Sequence, residues 1–310
     1  MDGLLLVDKP SGPTSHDVVE RMRIALGERR IGHTGTLDPA ATGLLPLVLG
    51  RATRLARFLT ARDKSYEAAV RLGVNTASGD ADGDPIGPPY DGALPSREAI
   101  ERALDAFRGT FTQQPPAFSA KRIGGRRSYD LARRGGLHSG DGPVAVQPAA
   151  VTVIVHRIDL VSYDGDTVTL TLDCSAGFYV RSLASDLGRL LGTGAHLTRL
   201  RRTRSGSFSL DRALPLAEAE RDQGRAVGCI IPMSCMLPDW SAVILNDAGI
   251  RRAITGRDIG PADIQASPGP ADRPGSGSAL VRLVDAAGDL VGVGEPSATP
   301  GVLHPSVVLR

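Results

Sequence analysis

Cysteine, lysine and aromatic residues are all scarce in this chain, and long apolar runs are missing. Its 310 residues include three cysteines, Cys174, Cys229 and Cys235. That number is odd and the spacing is wrong for a zinc pair, which excludes a disulfide framework and leaves ordinary reduced thiols. Apolar stretches such as Leu4–Val7 and Leu44–Leu49 are short and interrupted, far below the roughly 18 residues that a membrane span needs. Met1-Asp2-Gly3 is not the basic start of a secretory signal. The expected location is therefore cytoplasmic, with no membrane partner. Aromatic residues make up 4% of the chain, so any function that stacks rings has few side chains to use.

What is present is a globular composition. Hydrophobic residues reach 41% and charged residues 23%, enough for a sizeable core and against a disordered chain. The length predicts about two domains. Net charge is only +2, yet 33 of the 36 cationic side chains are Arg, the exceptions being Lys9, Lys64 and Lys121. A GC-rich coding bias accounts for that preference by itself. The clustering says more. Lys121, Arg122, Arg126, Arg127, Arg133 and Arg134 face only Asp130 in their stretch, and Arg181, Arg189, Arg199, Arg201, Arg202 and Arg204 face only Asp186 in theirs. Basic stripes inside a nearly neutral protein point to a polyanion, which guanidinium groups grip in a bidentate way.

Along the chain, Gly3–Asp8 reads as a short buried strand ending at the turn Lys9-Pro10-Ser11-Gly12-Pro13. Ser15 is placed to cap a helix through Leu26, with Val18, Met22 and Leu26 on one face. A polar loop from Gly32 to Pro39 leads into an apolar strand at Gly43–Leu49. Ala52–Leu59 reads as helix and Tyr66–Leu72 as strand, and Asn75–Pro89 reads as a surface loop. Arg97–Phe107 has helical spacing. Gly109–Pro148 shows little pattern beyond a short helix near Tyr129–Arg134, as functional or disordered insertions do. Ala150–Leu160 and Thr167–Cys174 alternate as antiparallel strands, and a helix begins at Tyr179. Past Pro232 the composition changes: Pro261–Ser278 reads as a mobile loop, followed by short strands at Leu280–Val284, Leu290–Val293 and Val307–Leu309. The domain boundary falls near residue 238. Periodicity alone gives an α/β or α+β fold.

The segment that carries chemistry is Gly32–Gly43, GHTGTLDPAATG. Pro39 restricts Asp38 to extended backbone and gives the loop a fixed shape. An isolated Asp-Pro is most often a turn cap, but this loop also holds His33, Thr34 and Thr36. The stretch GHTGTLDPAATGLLPLVLGRATR resembles the catalytic signature of the bacterial TruB family of tRNA pseudouridine synthases. The opening GLLLVDKPSGPTSHDVV, Lys64-Ser65-Tyr66 with LGVNTASGDADG, the PPAFSA run from Pro115, GFYVRSL from Gly177 and the later GAHLTRLRRT resemble its other motifs, in the same order, across residues 3–204. The C-terminal part resembles a PUA-type RNA-binding module only by position and by the closing Gly301-Val302-Leu303-His304-Pro305.

The resemblance implies the pseudouridine-synthase fold: a mixed, mainly antiparallel sheet with flanking helices over residues 1–238, plus a small PUA-like β module over 239–310. It implies an isomerase converting uridine-55 in the tRNA T-loop to pseudouridine, without metal or organic cofactor, as a monomer with no obligate protein partner. Asp38 matches the family's catalytic aspartate, Arg181 its partner arginine, and Tyr66 the tyrosine that stacks on the flipped uracil. Tyr179 matches a second active-site tyrosine and Leu200 a leucine of the pocket. His33 matches the histidine that fills the space left by the base. Lys64, Arg122, Arg201 and Arg202 are expected to touch RNA, with the insertion at about 113–146 ordering on tRNA. Arg122 stands where the family has lysine, a change of donor geometry that keeps the charge. The other histidines have no ligand spacing. Two further roles use the same stripes: a tRNA folding chaperone, and a synthase guided by a partner RNA. The intact Asp38, Tyr66 and Arg181 speak against the first, and the long insertion with no extended basic tail against the second.

Overall fold

The computed structural model describes residues 1–116, the backbone of 122–123 and 126–127, and residues 148–266 and 280–310. The expected helix at 129–134, the Arg122 side chain and most of the stretch 261–278 lie outside the described residues.

The strands in chain order are β1 (Gly3–Lys9), β2 (Ile31–His33), β3 (Thr42–Leu49), β4 (Lys64–Leu72), the hairpin β5 (Asn75–Thr76) and β6 (Pro85–Ile86), and β7 (Gly109–Gln113). A second hairpin, β8 (Arg122–Ile123) and β9 (Arg126–Arg127), precedes β10 (Val151–Asp164), β11 (Thr167–Cys174), β12 (Ala195–Ser205), β13 (Phe208–Ser209) and β14 (Leu214–Pro215). Ten of these form one sheet in the order β14-β1-β3-β12-β4-β11-β10-β7, with β2 on β3 and β13 on β12. Only β1 with β14 and β12 with β3 run parallel, so the sheet is mixed and mainly antiparallel.

The apolar runs of β1 and β3 lack alternation because both faces are covered. Leu5, Val7, Leu45, Leu47 and Leu49 pack with the helix Ser15–Leu26 on one face. Leu4, Leu6, Leu44 and Val48 pack on the other against Leu55, Leu59, Trp240, Val284 and Val293. Further along the sheet, Ala68, Val70, Val168 and Leu170 meet the helices Arg97–Leu104 and Val180–Leu191. Tyr66 and Leu200 pack against both the first and the last of these clusters, at the seam between them.

A second, five-stranded sheet is built from β15 (Ala242–Leu245), β16 (Ile264–Ala266), β17 (Val281–Val284), β18 (Leu290–Pro296) and β19 (Leu303–Val308). It shares a core with the first. Trp240, buried against this joint, meets Phe58 edge-on at 5.0 Å, and Arg62 sits 5.7 Å above its ring.

Several local expectations change. Thr14, not Ser15, caps the first helix: its hydroxyl accepts from the Asp17 amide at 3.0 Å, and the Asp17 carboxylate accepts from the Thr14 amide, completing a capping box. Ala52–Leu59 divides into a 3-10 turn, Gly50–Leu55, and a short helix, Ala56–Thr60. The region Asn75–Pro89 is no simple surface loop, since Asp80 bridges to Leu197 and is half-buried. The strand β12 escaped pattern reading because its sequence, AHLTRLRRTRS, is dominated by Arg and Thr.

Because Trp240 closes the joint, Trp240→Ala should destabilise the whole chain by about 3–5 kcal/mol. Denaturant unfolding should shift as one transition for both sheets. A change confined to a separate transition would mean that the two sheets unfold independently.

Candidate active site

The segment Thr34–Ala41 joins β2 to β3, and buried side chains hold it from three directions. From the first helix, the Ser15 hydroxyl accepts from the Leu37 amide at 2.8 Å and donates to the Leu37 carbonyl at 3.0 Å. From the end of β1, the Lys9 ammonium donates to the carbonyls of Pro39 at 3.0 Å and Ala41 at 2.7 Å. From β12, Arg202 donates to the Gly35 carbonyl at 3.0 Å. The chain turns at Asp38, whose carbonyl accepts from the Ala41 amide at 3.1 Å. Leu37 is buried, leaving Asp38 to project into a cleft of about 270 Å³.

Across that cleft stands Arg181, in the first turn of the helix Val180–Leu191. Its Nε lies 3.0 Å from one Asp38 oxygen, and its Nη2 donates to the other at 3.3 Å. The same guanidinium donates to the Ser78 carbonyl at 3.1 Å and reaches the Asp80 carboxylate at 3.7 Å. The Arg181 side chain is 7% exposed and that of Asp38 40%, so the arginine lies behind a carboxylate that is open to the cleft. Burial raises the Asp38 carboxyl above its ordinary value; Arg181 pulls it down and the like charge of Asp80 pushes it up.

Tyr66, Tyr179, Leu200 and Lys64 line the same cleft. Tyr179 precedes the Arg181 helix and is clipped to β7 by Gln113, whose side chain accepts from its amide at 2.8 Å and donates to its carbonyl at 3.0 Å. Lys64 lines the wall but is buried, its ammonium donating to the carbonyls of Thr60 at 2.6 Å and Arg62. Burial brings its pKa down to about 8. His33 ends β2 on the approach to the loop, its Nδ1 accepting from the Gly35 amide at 3.4 Å. Burial lowers its pKa, which keeps the ring neutral.

Two of the arginines expected on RNA are occupied elsewhere. Neighbours on a strand project to opposite faces, and Arg201 turns away from the cleft to pair with Asp8 at 2.8 Å. Arg202 lies beneath the cleft, 1% exposed, and donates to the Leu44 carbonyl at 2.7 Å as well as to Gly35. Arg202 is therefore too deep to be a surface phosphate contact, whereas Arg201 remains partly exposed beside Asp8. Sequence reading missed Asp80, Lys9 and Ser15 as parts of the site. The only available signal was their position inside the quoted motifs. Among the described residues, no cluster of His, Cys, Asp and Glu could hold a metal ion, and no helix is long and apolar enough to cross a membrane.

Comparison with known proteins gives the family of the chain. The family model of the TruB family pseudouridylate synthase N-terminal domain matches residues 23–180, and that of the tRNA pseudouridylate synthase B C-terminal domain matches 181–233. A tRNA pseudouridine synthase B from Solibacter usitatus is 42% identical over 100% of both chains. One from Gloeobacter violaceus is 45% identical over 86% of this chain and 89% of its own. Among solved structures, a Cbf5-Nop10-Gar1 complex contains a chain that superposes with a TM-score of 0.73 at 26% identity, over 99% of this chain and 84% of that one. With a family model spanning half the sequence and a relative this similar end to end, the chain belongs to the TruB family of tRNA pseudouridine synthases, which are isomerases.

Proposed function

We propose that this protein isomerises uridine-55 in the T-loop of tRNA to pseudouridine, with Asp38 as the nucleophile and the target base flipped out of the loop. The observation that carries this reading is the Asp38 carboxylate, held by Arg181 and exposed on one side to a cleft lined by Tyr66 and Leu200. The full-length relatives named tRNA pseudouridine synthase B supply the substrate class.

The reaction breaks the bond from N1 of uracil to C1′ of ribose, and the ring rejoins C1′ through C5. A base inside a structured loop must be extruded before that bond can be reached. In the cleft, Tyr66 supplies a stacking surface, worth about 1–3 kcal/mol per base. Tyr179 and Leu200 close the walls. A carboxylate attacks only when ionised, and Arg181 offsets part of the cost of ionising it inside the protein. Attack at C1′, addition at C6 and assisted elimination to a glycal all require this same charged oxygen. His33, neutral and at the entrance to the loop, acts as the wedge that takes the place of the flipped base. The insertion at 113–146 and the module at 239–310, which we read as PUA-like, extend the RNA contact. The active unit is a cytoplasmic monomer needing no protein partner or cofactor.

Incubating the protein with an unmodified tRNA transcript, followed by site-resolved pseudouridine detection, should give product at uridine-55 alone. Asp38→Asn should give none, and product at the normal rate from that variant would end the nucleophile assignment. Arg181→Ala should lower single-turnover rate by about 100-fold or more while tRNA affinity changes little. Equal losses in rate and affinity would make Arg181 a phosphate contact instead. Because Asp38 reacts ionised and its pKa lies above the ordinary 3.8, the rate should rise with pH through a limb placed above that of an exposed aspartate. Asp80→Asn removes a like charge and should move the limb to lower pH. A limb that stays in place in a pH–rate profile would show that Asp80 does not act on Asp38.

A further inference from the structure

Arg202 is among the largest fully buried side chains in the protein. A buried guanidinium normally has a carboxylate partner, since removing a charge from water is costly unless it is paired. Among the described residues no acidic group forms an ion pair with Arg202, and its Nε and Nη2 donate to the neutral carbonyls of Leu44 and Gly35. Its surroundings are cationic. Lys9 and Lys64, both buried, have pKa values brought down to about 8, chiefly by burial and further by the Arg202 charge. Asp38 acts on Lys9 and Asp63 on Lys64 from a distance, but among the described residues no carboxylate is paired with Arg202 itself.

The sheet fixes where that charge lies. On β12, Arg202 stands directly opposite Tyr66 of β4 and opposite Gly43 of β3. Gly43 has φ +97°, and a Cβ there would come within 2.3 Å of the Arg202 carbonyl, so the close approach of β3 to β12 requires glycine. Arg202 and Tyr66 line the same cleft, where the guanidinium charge acts on the Tyr66 hydroxyl. One side chain therefore braces the Asp38 loop, through Gly35, from the strand position opposite Tyr66.

We infer that Arg202 is an electrostatic positioning residue: its guanidinium, opposite Tyr66 and without a carboxylate partner among the described residues, stabilises the negative charge that develops on the base as its glycosidic bond breaks. This rests on the reaction proposed above. When the C1′–N1 bond opens, its electron pair leaves with the ring and spreads over N1, O2 and O4 as a uracil anion. The pair returns to carbon as C1′ bonds to C5, and the C5 proton is lost as N1 gains one, so atoms and charge balance with no outside reactant. The ground-state base is neutral and the departing base is not, so a fixed cation in a dry cleft favours the transition state over bound substrate. A role limited to fixing backbone carbonyls would not distinguish one leaving group from another.

The test uses the full-length protein, a T-arm RNA with uridine at the target, and the same RNA with 5-fluorouridine there, whose fluorine itself stabilises the departing anion. Loss of the target nucleoside is followed under single-turnover conditions in nuclease digests, with RNA affinity and thermal unfolding measured alongside. Arg202→Met should lose about 100-fold on uridine and several-fold less on 5-fluorouridine, with affinity nearly unchanged. Arg202→Lys, which keeps the charge, should recover much of the rate on uridine. Should the Met variant not fold, Arg202→Gln carries the same comparison of substrates. Equal losses on the two RNAs, or a Lys variant as slow as the neutral one, would overturn the electrostatic role and leave Arg202 a structural anchor. A wild-type protein that converts neither RNA would instead overturn the reaction itself, and this inference with it.

Discussion

The arrangement depends on one ion pair placed across a seam. Asp38 comes from a loop packed against the half of the sheet that carries the helix Ser15–Leu26. Arg181 comes from a helix packed on the other half, 143 residues later in the chain. Neither charge would be tolerated in the seam alone. Burial disfavours the ionised carboxylate, and the guanidinium behind it is too deep to be solvated. Together they are tolerable, and the cleft exists because the seam is filled by two charged side chains instead of apolar ones. Asp80 adds a second carboxylate to one guanidinium, which leaves Asp38 less well compensated than a simple pair would be.

The same logic explains the cations around the loop. Lys9, Lys64 and Arg202 are buried and bonded chiefly to backbone carbonyls. Carbonyl oxygens satisfy their hydrogen-bonding needs without cancelling their charge. The loop gains fixed geometry, and the cleft gains a positive floor. Such a floor weakens the fold, because three desolvated cations repel one another. Sites that stabilise charge commonly carry strain of this kind, offset by packing elsewhere, here by the buried leucines and valines of β1 and β3.

How far the sequence revealed this differs by feature. The strands β1, β3, β4 and β11 were legible because apolar runs and alternation report directly on burial. The loop around Asp38 was legible because Asp-Pro between glycines has few conformations, and the motif resemblance placed Tyr66, Tyr179, Arg181 and Leu200 around it. Side-chain direction was not legible. Thr14 and Ser15 are both hydroxyl residues at a helix start, and only packing assigns the cap to Thr14 and the loop contact to Ser15. Arg201 and Arg202 are chemically identical neighbours, yet the strand sends them to opposite faces, one to Asp8 and one to the cleft that Tyr66 lines. Composition ranked them together as a polyanion stripe because it counts charge without orientation. Asp80 was hidden for the converse reason: it sits in a Gly- and Asp-rich stretch whose composition reads as solvent, and a long-range bridge to Leu197 carries it into the site.

The C-terminal sheet bears on the site through what it covers. It buries Leu4, Leu6, Leu44 and Val48, the face of the central strands opposite the one on which the first helix packs. With that face closed by Trp240 and its neighbours, β1 and β3 are fixed from both sides. The loop that hangs between β2 and β3 therefore inherits a rigid base. A strand free on one face could shift its register to relieve the repulsion among the buried cations, and Asp38 would move with it. Covering the second face removes that freedom, so the module contributes to the geometry of the cleft whether or not it also touches RNA.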